Sequence, residues 1–125
     1  MRIKRERLKQ IYHRKAVSKK DKEGNSYLEY ETATTAMAEI WPAGGKIQAE
    51  IYGQRLAYIR NCRIDGKYGV VGMPDGKVFY SLEDGKDVIE GDGICLNVSS
   101  DAEPDYRIIS IKPYRYLTME VEKIR

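Results

Sequence analysis

Residues that could carry chemistry are few and scattered along this 125-residue chain. The single histidine, His13, has no serine or carboxylate beside it in a recognisable nucleophile motif, so a Ser-His-Asp or Cys-His centre is unsupported. We expect this histidine to face solvent or a neighbouring strand. Cys62 and Cys95 belong to no C-x-x-C pair and have strand-forming neighbours, which predicts two buried free thiols rather than a disulfide.

The sequence gives no better support for a metal site or a nucleotide site. One histidine and two separated cysteines cannot supply the set of about four N or S ligands that zinc requires. Acidic residues cluster at Glu83, Asp84, Asp87, Glu90 and Asp92, but they lack the EF-hand order, and acids beside glycines more often form soluble turns. No glycine-rich phosphate-binding motif is present. We therefore predict no catalytic residue, no metal and no cofactor, in a protein that is not an enzyme.

The aromatic residues are unusual, with ten tyrosines against one phenylalanine. Several lie beside arginines, as Tyr58 lies near Arg60 and Tyr114 beside Arg115. Tyr and Arg stack on nucleic-acid bases and are enriched at protein interfaces, yet Tyr also suits a half-exposed strand. These three interpretations stay open at the level of sequence.

Charge is distributed unevenly along the chain. Residues 1–22 hold ten Lys or Arg and two acids, whereas the remainder holds twelve basic and seventeen acidic residues. A basic arm over residues 1–8 suits phosphates or an acidic protein surface, although a solvated terminus is the plainer alternative. The candidate contacts with DNA or an acidic surface are Arg2, Lys4, Arg5, Arg7 and Lys9.

Apolar runs are short throughout, far below the ~20 residues that span a bilayer. No apolar stretch follows the basic N-terminus, as it would in a secretory signal. We expect no contact with a membrane and a protein that stays in the cytosol where it is made.

Alternating polar and apolar residues predict a mostly β protein, a small antiparallel barrel or sandwich with long loops, folded as one domain over residues 1–125. Ile47 and Ile51 recur at helical spacing and predict one short helix, which Gly53 can end. Dense turn signals predict an inserted hairpin over residues 65–85. Strands are expected at 9–17, 27–41, 57–64, 94–98, 106–112 and 117–123, with polar loops at 18–26 and 99–105.

One stretch carries a family resemblance. The residues AMAEIWPAGGK from Ala36 to Lys46, followed by Tyr58-Ile59-Arg60, resemble the phage head-tail joining (head-tail adaptor or head closure) family. That family typically shows a strand W-A-x-V, then P-x-x-G, a short helical stretch and a strand V-x-I-R, and Met37 stands here in place of its tryptophan. Residues 88–94, 106–111 and 117–121 extend the resemblance, while the insertion over 65–85 is longer than the family's usual connection.

The resemblance implies a non-catalytic structural protein of the virion of a bacteriophage or prophage, assembled in the bacterial cytoplasm. It implies a ring of copies below the portal that closes the DNA-filled head, touches packaged DNA and offers a surface to the tail, while the isolated chain can be a monomer. Its partners would be the portal or adaptor ring and tail proteins. The expected contact residues are Trp41, Pro42, Gly44, Gly45, Ile47, Ile51, Tyr52, Arg55, Tyr68, Phe79 and Tyr80.

The alternative function is that of a basic β-barrel that binds nucleic acid through its N-terminal arm and its Tyr/Arg surface. It predicts DNA binding that weakens steeply with salt.

Overall fold

The computed structural model describes residues 5–83 and 86–124, which form a closed barrel and two smaller sheets. Six strands close the barrel in the order β1-β4-β5-β11-β10-β9, and each neighbouring pair is antiparallel. The prediction of an antiparallel β-barrel with one short helix is confirmed. The strands are β1 (Leu8–Arg14), β2 (Ala16–Lys20), β3 (Ser26–Tyr30), β4 (Thr34–Pro42), β5 (Ile59–Ile64), β6 (Tyr68–Gly72), β7 (Val78–Leu82), β8 (Asp87–Val88), β9 (Gly93–Cys95), β10 (Tyr106–Pro113) and β11 (Leu117–Lys123).

The barrel interior is filled by the apolar half of each alternating strand. In β4, Ala36, Ala38 and Ile40 pack into the core, whereas Met37 between them is 41% exposed. Small alanines on this strand leave room for the larger side chains of the other strands. The fully buried set includes Ile11, Cys62, Ile94, Ile108, Leu117, Met119 and Val121.

Antiparallel pairing divides the connections between the two ends of the barrel. At one end lie the segment 43–58 between β4 and β5, the loop 96–105, the start of β1 and the end of β11. At the other end lie the β2-β3 hairpin, the β6-β7-β8 sheet and the turn between β10 and β11. The insertion predicted over 65–85 contains β6 and β7, and its residues 84 and 85 lie outside the described part of the chain.

Two of the predicted strands are interrupted in the structure. Each of the segments 9–17 and 27–41 is broken, because the pairing shifts by one residue between His13/Thr34 in the barrel and Ala16/Tyr30 in the hairpin. Arg14 bridges this break, donating to the carbonyls of Tyr30 and, through Nε, of Glu31. Ser18–Lys20, expected in a loop, continue β2 because they find partners in β3.

Two other boundaries also differ from the prediction. Strand β9 ends at Cys95 because the amides of Leu96 and Asn97 donate to the Asp105 carboxylate instead of to a strand. Strand β5 begins at Ile59 because a 3-10 helix, Gly53–Tyr58, precedes it.

Helix α1 (Lys46–Tyr52) lies between β4 and β5. Gly53 follows it with φ of 55°, so the prediction that this glycine ends the helix is confirmed. No helix in residues 5–83 and 86–124 has the length and apolar character needed to cross a membrane.

Candidate functional site

Helix α1 is fastened to the outside of the barrel by its polar side. Gln48 and Tyr52, four residues apart, share one face of the helix. Gln48 Nε2 donates to Glu120 Oε2 at 2.7 Å, and the Tyr52 hydroxyl donates to Glu120 Oε1 at 2.9 Å. Gln48 Nε2 also lies 2.8 Å from Asn61 Oδ1, and Asn61 is the cross-strand partner of Glu120. The helix therefore lies over β5 and β11.

Glu120 is the centre of this attachment, since it is only 2% exposed. Burial alone would raise its pKa, but hydrogen bonds from Gln48, Tyr52 and Lys112 outweigh that effect and hold the pKa below the ordinary glutamate range. Burial, together with the hydrogen bond to this carboxylate, raises the pKa of the Tyr52 phenol to about 12. At neutral pH, an ionised acceptor thus faces donors that keep their protons.

Arg55 adds a second attachment just beyond the helix. Its Nε and Nη2 donate to the two carboxylate oxygens of Glu122, each at 2.8 Å, and this bidentate pairing lowers the pKa of Glu122. The Arg55 guanidinium also lies 5.5 Å from the centre of the Tyr52 ring. The chain following α1 is thereby held to β11 as well.

A neighbouring face of α1, about 100° around the helix axis from Gln48 and Tyr52, presents two apolar side chains to solvent. Ile47 is 74% exposed and Ile51 is 62% exposed, and their four-residue spacing makes them neighbours. An ordinary surface helix buries its apolar stripe, whereas α1 partly buries Gln48 and Tyr52 and leaves both isoleucines exposed. Full burial of each isoleucine is worth roughly 1.5–3 kcal/mol. This pair, which we name the α1 surface, is a candidate docking site on a firmly held element.

The other predicted contact residues near α1 fall into two groups. Pro42, Gly44 and Gly45 are exposed at the entry to the helix, where the Gly44 amide donates to Gln48 Oε1 at 2.9 Å. Trp41 is half-buried, with the Arg63 guanidinium 5.2 Å from its ring centre. The structure therefore gathers the predicted residues from Trp41 to Arg55 around one helix, although Trp41, Tyr52 and Arg55 all have partners within the chain.

The remaining predicted contact residues lie in the β6-β7 hairpin at the other end of the barrel. Tyr68 and Tyr80 are half-buried against the core, with ring centres 6.3 Å apart, and the Tyr68 hydroxyl donates to the Tyr114 carbonyl. These tyrosines anchor the hairpin, and Phe79 is half-buried on its other face. Sequence reasoning missed the more exposed Val70, Val71 and Val78, which the apolar residues on both faces of the β6-β7 hairpin could have revealed.

The basic candidates are only partly described. Arg2 and Lys4 lie outside the described residues, while Arg5 and Arg7 are exposed in a 3-10 helix before β1. Lys9 Nζ donates to Asn97 Oδ1 at 3.1 Å. Their contact with DNA or an acidic surface stays a prediction.

His13 is buried. Of the two environments expected for it, solvent is wrong, and a neighbouring strand is correct. It is 6% exposed, its Nε2 lies 2.7 Å from Asp92 Oδ2, and Thr34 Oγ1 lies 3.4 Å from its Nδ1. Asp92, expected in a soluble turn, is 1% exposed and also accepts from the amides of Ala16 and Ile89. The carboxylate thereby ties together the bases of the two projecting sheets.

Cys62 and Cys95 are buried free thiols, as predicted, and burial raises the pKa of Cys62 to about 12. Within the described ranges, no group of three or more His, Cys, Asp or Glu residues could hold a metal ion.

Comparison of the chain with protein-family models, curated proteins and solved structures finds no match in any of the three. The resemblance to the head-tail joining family therefore rests on the residues that carry it, and the role it implies stays a proposal.

Proposed function

We propose that the protein is a structural component of a tailed phage or prophage virion, which joins head to tail as a ring of copies below the portal. The observation that carries the proposal is the α1 surface, an exposed isoleucine pair on a helix held by its polar side. The family resemblance supports it, because the stretch from Ala36 to Arg60 encloses this same helix.

The way the helix is held suits assembly. A side chain on a fixed element loses little conformational freedom when it binds, so more of the free energy of its burial is available for association. Subunits of a ring meet through two different surfaces, and the α1 surface would supply one of them. The partners would be the portal or adaptor ring, tail proteins and further copies of the chain.

The experiment is co-sedimentation with portal rings or with tailless, DNA-filled heads of the phage that encodes the protein. Wild-type protein should saturate at a symmetric number of copies per particle. The double variant Ile47→Asp/Ile51→Asp should lose this binding yet unfold at the wild-type urea concentration, because both side chains already lie in water.

Leu28→Asp is the matched control, since Leu28 is 52% exposed on β3, away from α1. It introduces the same charge in place of one exposed apolar side chain, where the double variant replaces two, and should bind normally. Wild-type binding by the double variant would contradict the role of the α1 surface, and absence of binding by the wild-type protein would contradict the joining function.

A second candidate function, nucleic-acid binding, is favoured by the exposed Arg5 and Arg7. Binding to free DNA should then weaken by orders of magnitude between low and moderate salt, and Arg5→Glu/Arg7→Glu should reduce the slope. A lack of detectable DNA binding at low salt would remove this candidate.

A further inference from the structure

Strand β6 has one edge without a partner strand in the described part of the chain. It pairs only with β7, in a three-stranded sheet of order β6-β7-β8, and its register is regular along all five residues. Natural edge strands are usually protected by charges, proline or bulges. The sequence Tyr-Gly-Val-Val-Gly has none of these, and Val70 at its centre is 59% exposed.

The hydrogen bonds of the hairpin show which backbone groups point outward. The Met73 amide donates to the Lys77 carbonyl at 2.8 Å, next to the turn of the hairpin. Bonded and non-bonded pairs alternate along an antiparallel ladder, so every second residue from Met73 turns toward β7. The intervening residues turn their N–H and C=O to the free edge, and these are Tyr68, Val70 and Gly72.

We propose that two copies of the chain associate through this edge, pairing β6 with β6 in antiparallel orientation about a two-fold axis at Val70. The two sheets would then form one continuous sheet of six strands, β8-β7-β6-β6-β7-β8. In an antiparallel pair, directly opposed residues point to the same face of the sheet. A two-fold axis between two identical strands must therefore lie between the same residue of the two copies. Only Val70 as centre brings all five residues of each strand into register.

In this register the outward N–H and C=O groups of the β6 edge find hydrogen-bond partners in the second copy. Val70 meets Val70 of the second copy, and Tyr68 meets Gly72 of the second copy, so all three outward residues form hydrogen-bonded pairs. The position where a Cβ would stand on Gly72 has no atom within 4 Å, so the fold of the chain itself does not crowd the approach of the second strand there.

The association is expected to be weak. A contact of two five-residue strands is smaller than the ~1,200–2,000 Å² interface of stable complexes, so the pair should dissociate on dilution. It does not depend on the proposed joining function, because β6 and α1 emerge from opposite ends of the barrel.

Amide hydrogen exchange, measured by NMR at rising protein concentration, tests this register residue by residue. Exchange at Tyr68, Val70 and Gly72 should slow about tenfold when roughly nine in ten molecules are paired. Gly69 and Val71 should be protected at every concentration by their own hairpin. If the three outward amides are unchanged from micromolar to millimolar protein, or if protection lacks this alternation, the proposal is wrong.

Cross-linking gives an independent test. Directly opposed residues of a hydrogen-bonded pair have Cα atoms about 5.5 Å apart, within disulfide range, so Val70→Cys should form a covalent dimer under mild oxidation. Val78→Cys is the matched control, because two β7 strands would lie about 14 Å apart across the sheet. The native Cys62 and Cys95 are buried and should not interfere. Equal cross-linking of the two variants, or none by Val70→Cys, would overturn the proposal.

A charge at the same position should prevent pairing. Val70→Lys places two ammonium groups opposite each other at the two-fold axis and should abolish the concentration-dependent protection. Leu28→Lys makes the same change at another exposed hairpin residue and should leave it intact. Loss of pairing in both variants would mean that the contact does not lie at β6.

Discussion

Glu120→Ala removes the carboxylate that fastens α1 to the barrel. The change leaves the Tyr52 hydroxyl without its acceptor and takes from Gln48 Nε2 one of its two acceptors, the other being Asn61 Oδ1. It also takes the partner from Lys112, whose Nζ lies 3.1 Å away. We expect the protein to lose stability and the helix to lose its fixed position.

The magnitude follows from the bonds lost. A hydrogen bond to a charged group contributes about 1.5–3 kcal/mol. Removing the carboxylate also removes the cost of burying its charge, so we take the lower end of this range for each of the two neutral donors. Lys112 is 36% exposed and adds at most ~1 kcal/mol. The expected loss is therefore ~3 kcal/mol, which for a chain of this length lowers Tm by roughly 10 °C.

Two measurements distinguish general from local loss. Urea unfolding at neutral pH gives the free energy of unfolding of the whole protein. Amide exchange within residues 46–52 reports whether α1 detaches while the barrel stays folded. Glu122→Ala is the comparison variant, because it removes the second attachment of this segment, a pairing with an Arg55 side chain that is 54% exposed. Its effect on unfolding should be smaller than that of Glu120→Ala.

The reasoning would be refuted by an unfolding free energy within ~0.5 kcal/mol of wild type together with unchanged exchange in α1. If only the exchange rises, Glu120 positions the helix without stabilising the barrel. In that case Glu120→Ala should still weaken binding by the α1 surface.

Two further predictions follow from the same contacts. The folded-state pKa of Glu120 is below its ordinary value of 4.5, so its stabilisation is present above that pH and disappears as pH falls through the folded pKa; urea midpoints of wild type and Glu120→Gln should converge in acid. Gly93→Ala would place a Cβ 2.8 Å from Pro104 Cβ and 2.9 Å from Tyr30 Cε1, and should cost about 1–3 kcal/mol in urea unfolding. Gly44→Ala, with no atom within 4 Å, should change stability by less than ~0.5 kcal/mol, and equal effects of the two substitutions would contradict the packing argument.

The class of fold could be predicted because its signals are local. Alternation in β4 separates Ala36, Ala38 and Ile40 from Met37, and the structure packs the first set against the core, with Ala38 fully buried. The end of α1 at Gly53 was also predictable, since a positive φ at the helix end favours glycine. Such patterns depend on residues that are close along the chain.

The attachment of α1 could not be predicted, because it depends on distant residues. Glu120 alternates with Met119 and Val121, which are buried in the core, so its place in β11 marks it as outward-facing. Only the folded chain brings Gln48, 72 residues away, over it. His13 and Asp92 meet across 79 residues in the same way.

By itself, then, the sequence determined the mostly β class, the short helix and its end, and the burial of both thiols. Tertiary structure decided that the polar side of α1 lies against the barrel, that the isoleucines face water, and that the first long strand breaks after Arg14. The physical reason is that strand and helix periods specify which side chains share a face. What covers that face is fixed only when the barrel closes and distant strands come into register.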